Sequence, residues 1–181
     1  MSHGRLLSNS SYRVLVCFVA LTAFLLLAGC VAPLDPPSQA GPVSVLINNS
    51  ANATHTFDIY VIEAPPSEAG IALQGPGEDD RITSLDAGSV VANLNPQVRS
   101  YTSAHPVPAN QSRLQGRYVL EPGEEKYLNV TDFESNQVIA FVIWKDNEVI
   151  SITSATCTGD LTAVDSFINP YGASGGRGCR I

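Results

Sequence analysis

Gly172-Ala173-Ser174-Gly175-Gly176 has the G-x-S-x-G spacing that presents a serine nucleophile on a strand-to-helix turn in hydrolases. That chemistry needs an acid and a histidine further along the chain. Five residues follow Gly176, and none is acidic or histidine, so the stretch reads as a flexible tail. A blue-copper centre would take two histidines, a cysteine and usually an axial methionine. The sole methionine is Met1 and no histidine follows Cys157, so that centre cannot be assembled in the usual way. His55, at a predicted strand start, and His105, in a Pro-flanked loop, lack the H-E-x-x-H or Cys/His spacing of a zinc site and read as surface residues. Glu78-Asp79-Asp80 offers oxygens of the kind calcium takes, without the alternating spacing of a calcium loop, and reads as a solvated acidic turn. The sequence predicts no catalytic residue, no metal site and no cofactor.

Cys30 has other chemistry open to it. Residues 1–13 are polar and carry Arg5 and Arg13, and residues 14–29 are almost wholly apolar. A basic flank, a short apolar run and small residues before a cut describe a secretory signal peptide. The run is shorter than the roughly twenty residues that span hydrocarbon. Leu27-Ala28-Gly29-Cys30 resembles the lipobox of exported lipoproteins, in which the cysteine thiol takes a lipid through a thioether. The resemblance implies cleavage before Cys30 and a lipid anchor on it. Four prolines in residues 31–42 then predict a semi-extended tether. The expected organisation is signal peptide 1–29, lipidated Pro-rich tether 30–42 and one folded domain 43–181.

With Cys17 leaving in the signal peptide and Cys30 lipidated, Cys157 and Cys179 remain, and two thiols in an exported domain are expected to pair. Asn48, Asn52, Asn110 and Asn129 each head an N-x-S/T sequon and are candidate glycan sites, with Asn52 and Asn110 in predicted loops. All 17 acidic residues follow Cys30, against eight of the ten basic ones. That balance argues against nucleic acid, whose phosphates require basic neutralisation, and against docking on an anionic membrane surface. Acids at this density repel in dilute solution and are screened by abundant counterions, so the expected host is a halophile.

The positioning elements read as strands. Val43–Asn48 puts Val43, Val45 and Ile47 on one face, and Thr56–Glu63 does the same with Phe57, Ile59 and Val61. Residues 49–54 between them suit a hairpin loop. Residues 64–97 are rich in Gly and Pro and read as an irregular excursion with one or two short strands. Arg113–Leu120 follows, with Leu114, Tyr118 and Leu120 sharing a face, then a turn at 121–124 and Glu125–Val130. Gln137–Trp144 is apolar on both faces, which predicts a central strand covered twice. Asp146-Asn147 turns the chain into Glu148–Ala155, and Leu161–Ile168 is a further strand. No amphipathic helical stretch follows the signal. The pattern predicts an all-β antiparallel sandwich of about seven strands, with a barrel as the alternative.

The runs from Asn48 to Phe57 and from Gly116 to Glu125, with Cys157 and Cys179, resemble a group of haloarchaeal exported proteins. The resemblance implies surface location and an immunoglobulin-like sandwich, and it carries no active site. The expected function is a binding or structural module of the cell envelope, held to the membrane by its lipid and meeting an envelope protein or glycan. An exported enzyme or a metal or redox carrier is the alternative. Solute capture between two closing domains is disfavoured, because the chain holds one. The excursion at 64–112 is where a binding surface is expected.

Overall fold

The computed structural model describes residues 41–77, 80–86 and 89–180. The expected signal peptide, Cys30 and nearly all of the expected tether lie outside the described residues, as do Glu78 and Asp79. The fold is all-β, and among the described residues the strand pairs are antiparallel apart from β1 with β11. β1 (Val43–Asn49) carries its apolar residues at alternate positions, and it pairs antiparallel with β8 (Glu125–Val130) and parallel with β11 (Asp160–Asn169). β12 (Gly172–Arg180) completes this first sheet at the edge of β11. The second sheet runs β5 (Ser89–Asn93), β10 (Glu148–Ala155), β9 (Val138–Lys145), β2 (His55–Ile62) and β7 (Ser112–Leu120). A third, smaller sheet orders β4 (Arg81–Ser84), β3 (Gly70–Gln74) and β6 (Ser103–Val107).

β9 explains the layering. Its residues Ile139, Phe141 and Ile143 join Val43, Val45, Ile47, Phe57 and Ile59 in a core between the first and second sheets. On its other face, Val138, Ala140 and Val142 meet Ile71, Leu73, Leu85 and Tyr101 beneath the third sheet. A strand apolar from Val138 to Trp144 needs cover on both sides, and here each side receives a layer. Each large side chain withdrawn from water in this way contributes about 1.5–3 kcal/mol.

The expectation of about seven strands falls short, because twelve form among the described residues. Four of the additional ones lie in the excursion at 64–112, where strands of four or five residues between Pro and Gly turns leave too little periodicity to read. His105 belongs to β6 and not to a loop, since Pro106 needs no amide partner at a sheet edge. The loop at 49–54 is not a hairpin: β1 and β2 lie in different sheets, and the loop crosses between them. Leu114 does not share a face with Tyr118 and Leu120, because a bulge at Gln115 breaks the β2–β7 register between Ile59 and Tyr60. The glycine-rich segment at 172–178 is strand β12 and not a flexible tail. There Gly175 and Gly176 allow close approach to β11, where a Cβ would meet the Asp165 backbone oxygen or its carboxylate.

Strand directions give the domain two ends. The chain enters β1 at Val43, opposite Val130, and this end is the base. At the other end, the tip, lie the crossing loop after Asn49, the 121–124 turn, the Asp146-Asn147 turn and the Pro170-Tyr171 turn. A buried amide holds the crossing loop: the Asn49 side chain donates to the carbonyls of Ala53 and Leu120 and accepts from Ala51 N–H. At the base, the Cys157–Cys179 disulfide ties β12 to the connection between β10 and β11.

Candidate functional site

The third sheet does not cover the second completely. No residue of β7 enters the second apolar cluster, and at the tip the corner formed by β2, β7 and β9 stays bare. Thr56, Arg117, Val119 and Trp144 form a ledge there, and Thr102, on the segment leading into β6, forms its wall. Thr54 and the Asp146-Asn147 turn close the outer side. Both turn residues hold positive φ, 51° and 63°, as a tight hairpin between β9 and β10 requires. The concavity measures about 520 Å³, within the roughly 300–1,000 Å³ of small-ligand sites.

Beneath it lies a wholly buried carboxylate. Asp58 occupies a β2 position facing the ledge and is fully excluded from water. The guanidinium of Arg117, its cross-strand partner on β7, donates to both oxygens, Nε to Oδ1 at 2.5 Å and Nη2 to Oδ2 at 2.6 Å. The Trp144 indole Nε1–H donates to Oδ2 at 2.8 Å. A buried charge requires this many partners, because losing its hydration costs several kcal/mol per ion. Bonding to Asp58 raises the affinity of Arg117 for its proton. Burial, and then the Asp58 charge, push the neighbouring Tyr60 phenol up.

The predicted residues fall in various places. Cys157 and Cys179 are bonded. Asn52, Asn110 and Asn129 are exposed, and Asn48 is half-buried with its Oδ1 accepting from the Ser50 hydroxyl at 3.0 Å. His55 is not a surface residue. Its ring is buried, with Nδ1 3.2 Å from Asn49 Oδ1, and burial lowers its pKa from the ordinary 6.5. It supports the crossing loop beneath the tip. His105 is exposed on β6. Ser174 sits in mid-strand opposite Phe167, outside any strand–turn–helix setting. Among the described residues no three His, Cys, Asp or Glu side chains gather closely enough to hold a metal ion.

Sequence reasoning missed Asp58, Arg117 and Trp144 as a group. A signal was present: Asp58 is an acid between Phe57 and Ile59 in a strand otherwise built for burial, so it needed a donor. Which donor could be read only from the β2–β7 register, which the bulge at Gln115 conceals.

The protein has other concavities. One, on the third layer, is lined by Arg81, Arg99 and Tyr101, where the Arg81 Nη1 donates to the Tyr101 hydroxyl at 3.4 Å and the Arg99 guanidinium lies 5.3 Å from the ring centre. Another follows the outer face of the first sheet past Leu46, Tyr127 and Gly176. Comparison with protein-family models, with curated proteins and with solved structures finds no match for this chain.

Proposed function

We propose that this chain is an exported lipoprotein, anchored through Cys30, whose folded domain is a binding module of the cell envelope. The observation that carries this reading is the placement of the ledge and the turns around it at the end of the domain opposite the entry of β1. Val43, where the chain enters β1, and the concave corner thus lie at opposite ends of the domain. The apolar run before Leu27-Ala28-Gly29-Cys30 supports export and lipidation, and the prolines after it support a spacer.

Within this reading the first two sheets are an immunoglobulin-like sandwich; the excursion at 64–112 adds β5 to the edge of the second sheet and supplies β3, β4 and β6 as a third layer. Descent from the haloarchaeal exported group, residence in salty surroundings and glycosylation at Asn48, Asn52, Asn110 and Asn129 belong to the same proposal. The excess of acid over base and the exposed amides of Asn52, Asn110 and Asn129 support it. The partner is a protein or glycan of the envelope, met at the tip.

Cell fractionation of wild type and Cys30→Ala tests the anchor. The wild type is expected in the membrane fraction, extractable by detergent, and the variant in the medium. A variant that stays in the membrane would remove the lipid from the account. Protection of Trp144 from acrylamide quenching, on adding native envelope extract to the detergent-solubilised protein, tests the binding role. Trp144 is the single tryptophan of the chain, so all of the signal comes from the ledge.

A further inference from the structure

We propose that the ledge binds a neutral saccharide, the pyranose lying against Trp144 with its hydroxyls taken by the residues around it; this rests on the binding-module reading above. Three observations select the ligand class.

The platform is fixed before any ligand arrives. Trp144 is half-buried, packed against the edge of the second apolar cluster, and the polar atom of its ring is already bonded to Asp58 at 2.8 Å. Asp58 is in turn held by two bonds from Arg117. An aromatic face locked in this way loses little freedom when it is covered, which favours affinity. It offers an apolar plane to the C–H face of a sugar, as amphipathic aromatics do wherever one side of a partner is apolar and its edge is wet.

The lining matches hydroxyl groups. Thr54, Thr56 and Thr102 bring hydroxyls that both donate and accept, Asn147 brings an amide and Asp146 a carboxylate. Thr54 already donates to Glu121 Oε2 at 2.7 Å, which orients its oxygen. A sugar hydroxyl, itself donor and acceptor, can meet each of these in turn. An apolar ligand would leave them desolvated and unpaired, which disfavours it.

Charge excludes the ionic classes. Arg117, which lines the ledge with 60 % of its side chain in water, is paired with Asp58 buried beneath it, and Asp146 stands at the rim of a chain with formal net charge −7. A carboxylated or sulfated ligand meets Asp146 and a guanidinium whose Nε and Nη2 are already committed to Asp58, and a compact cation meets Arg117. A neutral polyol meets neither.

The test uses the full chain solubilised in a zwitterionic detergent, because glycoside detergents would compete. Trp144 emission is followed while neutral mono- and disaccharides, their deoxy analogues and uronates are added. Saturable change with a subset of neutral sugars, little with uronates, is the expected result. Calorimetry with the same sugar on Asp146→Gly, which keeps the positive φ open, should give about tenfold weaker binding. Trp144→Phe keeps a smaller ring and should weaken binding by a similar factor. If no neutral sugar binds, or uronates bind better, the inference is overturned. Should envelope extract still protect Trp144 in that case, the binding-module reading stands with a different ligand. If nothing protects Trp144, both fall.

Discussion

Asp58 and Arg117 divide their surroundings unequally. The carboxylate has no exposure, whereas the Arg117 side chain keeps 60 % of its surface in water. The pair is therefore asymmetric under mutation. Arg117→Met leaves a buried charge with only the Trp144 N–H, and should cost about 2 kcal/mol, below the full penalty for breaking a buried pair because the partner was largely solvated. Chemical denaturation of the two proteins measures it, and Trp144 emission should shift as well, since the indole loses the neighbour that fixes its acceptor. His55 supplies a second test at this scale. Its folded pKa lies below the ordinary 6.5 because burial disfavours the charged ring. As pH falls below that value the unfolded chain takes a proton that the folded chain refuses, so acid favours unfolding. Stability should decline as pH falls through 6.5 and below, and His55→Gln, which no longer titrates, should flatten that part of the profile. An unchanged slope in the variant would show that the ring does not govern it.

At the scale of elements, what could be read from sequence depended on how far burial overrides local pattern. β9 was legible because eight residues with two apolar faces admit one placement, between layers. β10 was legible through its turn, since Asp146 and Asn147 tolerate the φ that a tight hairpin demands. β7 was legible as a strand and wrong in its phase, because the extra residue Gln115 reverses the faces on either side of it. Gly116 sits beside that bulge for a reason of space. A Cβ there would lie 2.5 Å from the Tyr118 hydroxyl and 2.7 Å from its ring, and that ring also carries the Lys126 ammonium 4.8 Å from its centre. The ring thus covers the bare backbone of its own strand and braces β7 against β8. Gly116→Ala should displace it and cost about 1–2 kcal/mol, a typical penalty for crowding a packed site. A double variant that also carries Tyr118→Ala should show much less than the sum of the two single effects.

Across the whole molecule, the legible and illegible parts separate by range. Local pattern identified seven of the nine strands of the two large sheets, and missed β5, which is short, and β12, whose glycines carry no pattern. The third layer was missed because its strands are short and their apolar residues, such as Ile71 and Leu73, are explained only by the second face of β9. The candidate site was missed for the same reason, being a corner that one layer leaves uncovered. The disulfide was legible from the cysteine count and the compartment expected from the sequence. Its position at the base makes a prediction that separates stability from function. The cross-link closes a loop of 22 residues and fastens the glycine-rich β12, which has few side chains to pack. Joint Cys157→Ala and Cys179→Ala should therefore cost about 3 kcal/mol through the unfolded state. The ledge lies at the opposite end, on β2, β7 and β9, and β12 contributes nothing to its lining. Under conditions where the variant is still folded, Trp144 should keep its emission maximum and its accessibility to acrylamide, while thermal unfolding comes earlier. A variant that loses the tryptophan signature along with its stability would mean that base and tip are coupled, and that the corner does not hold its shape independently of β12.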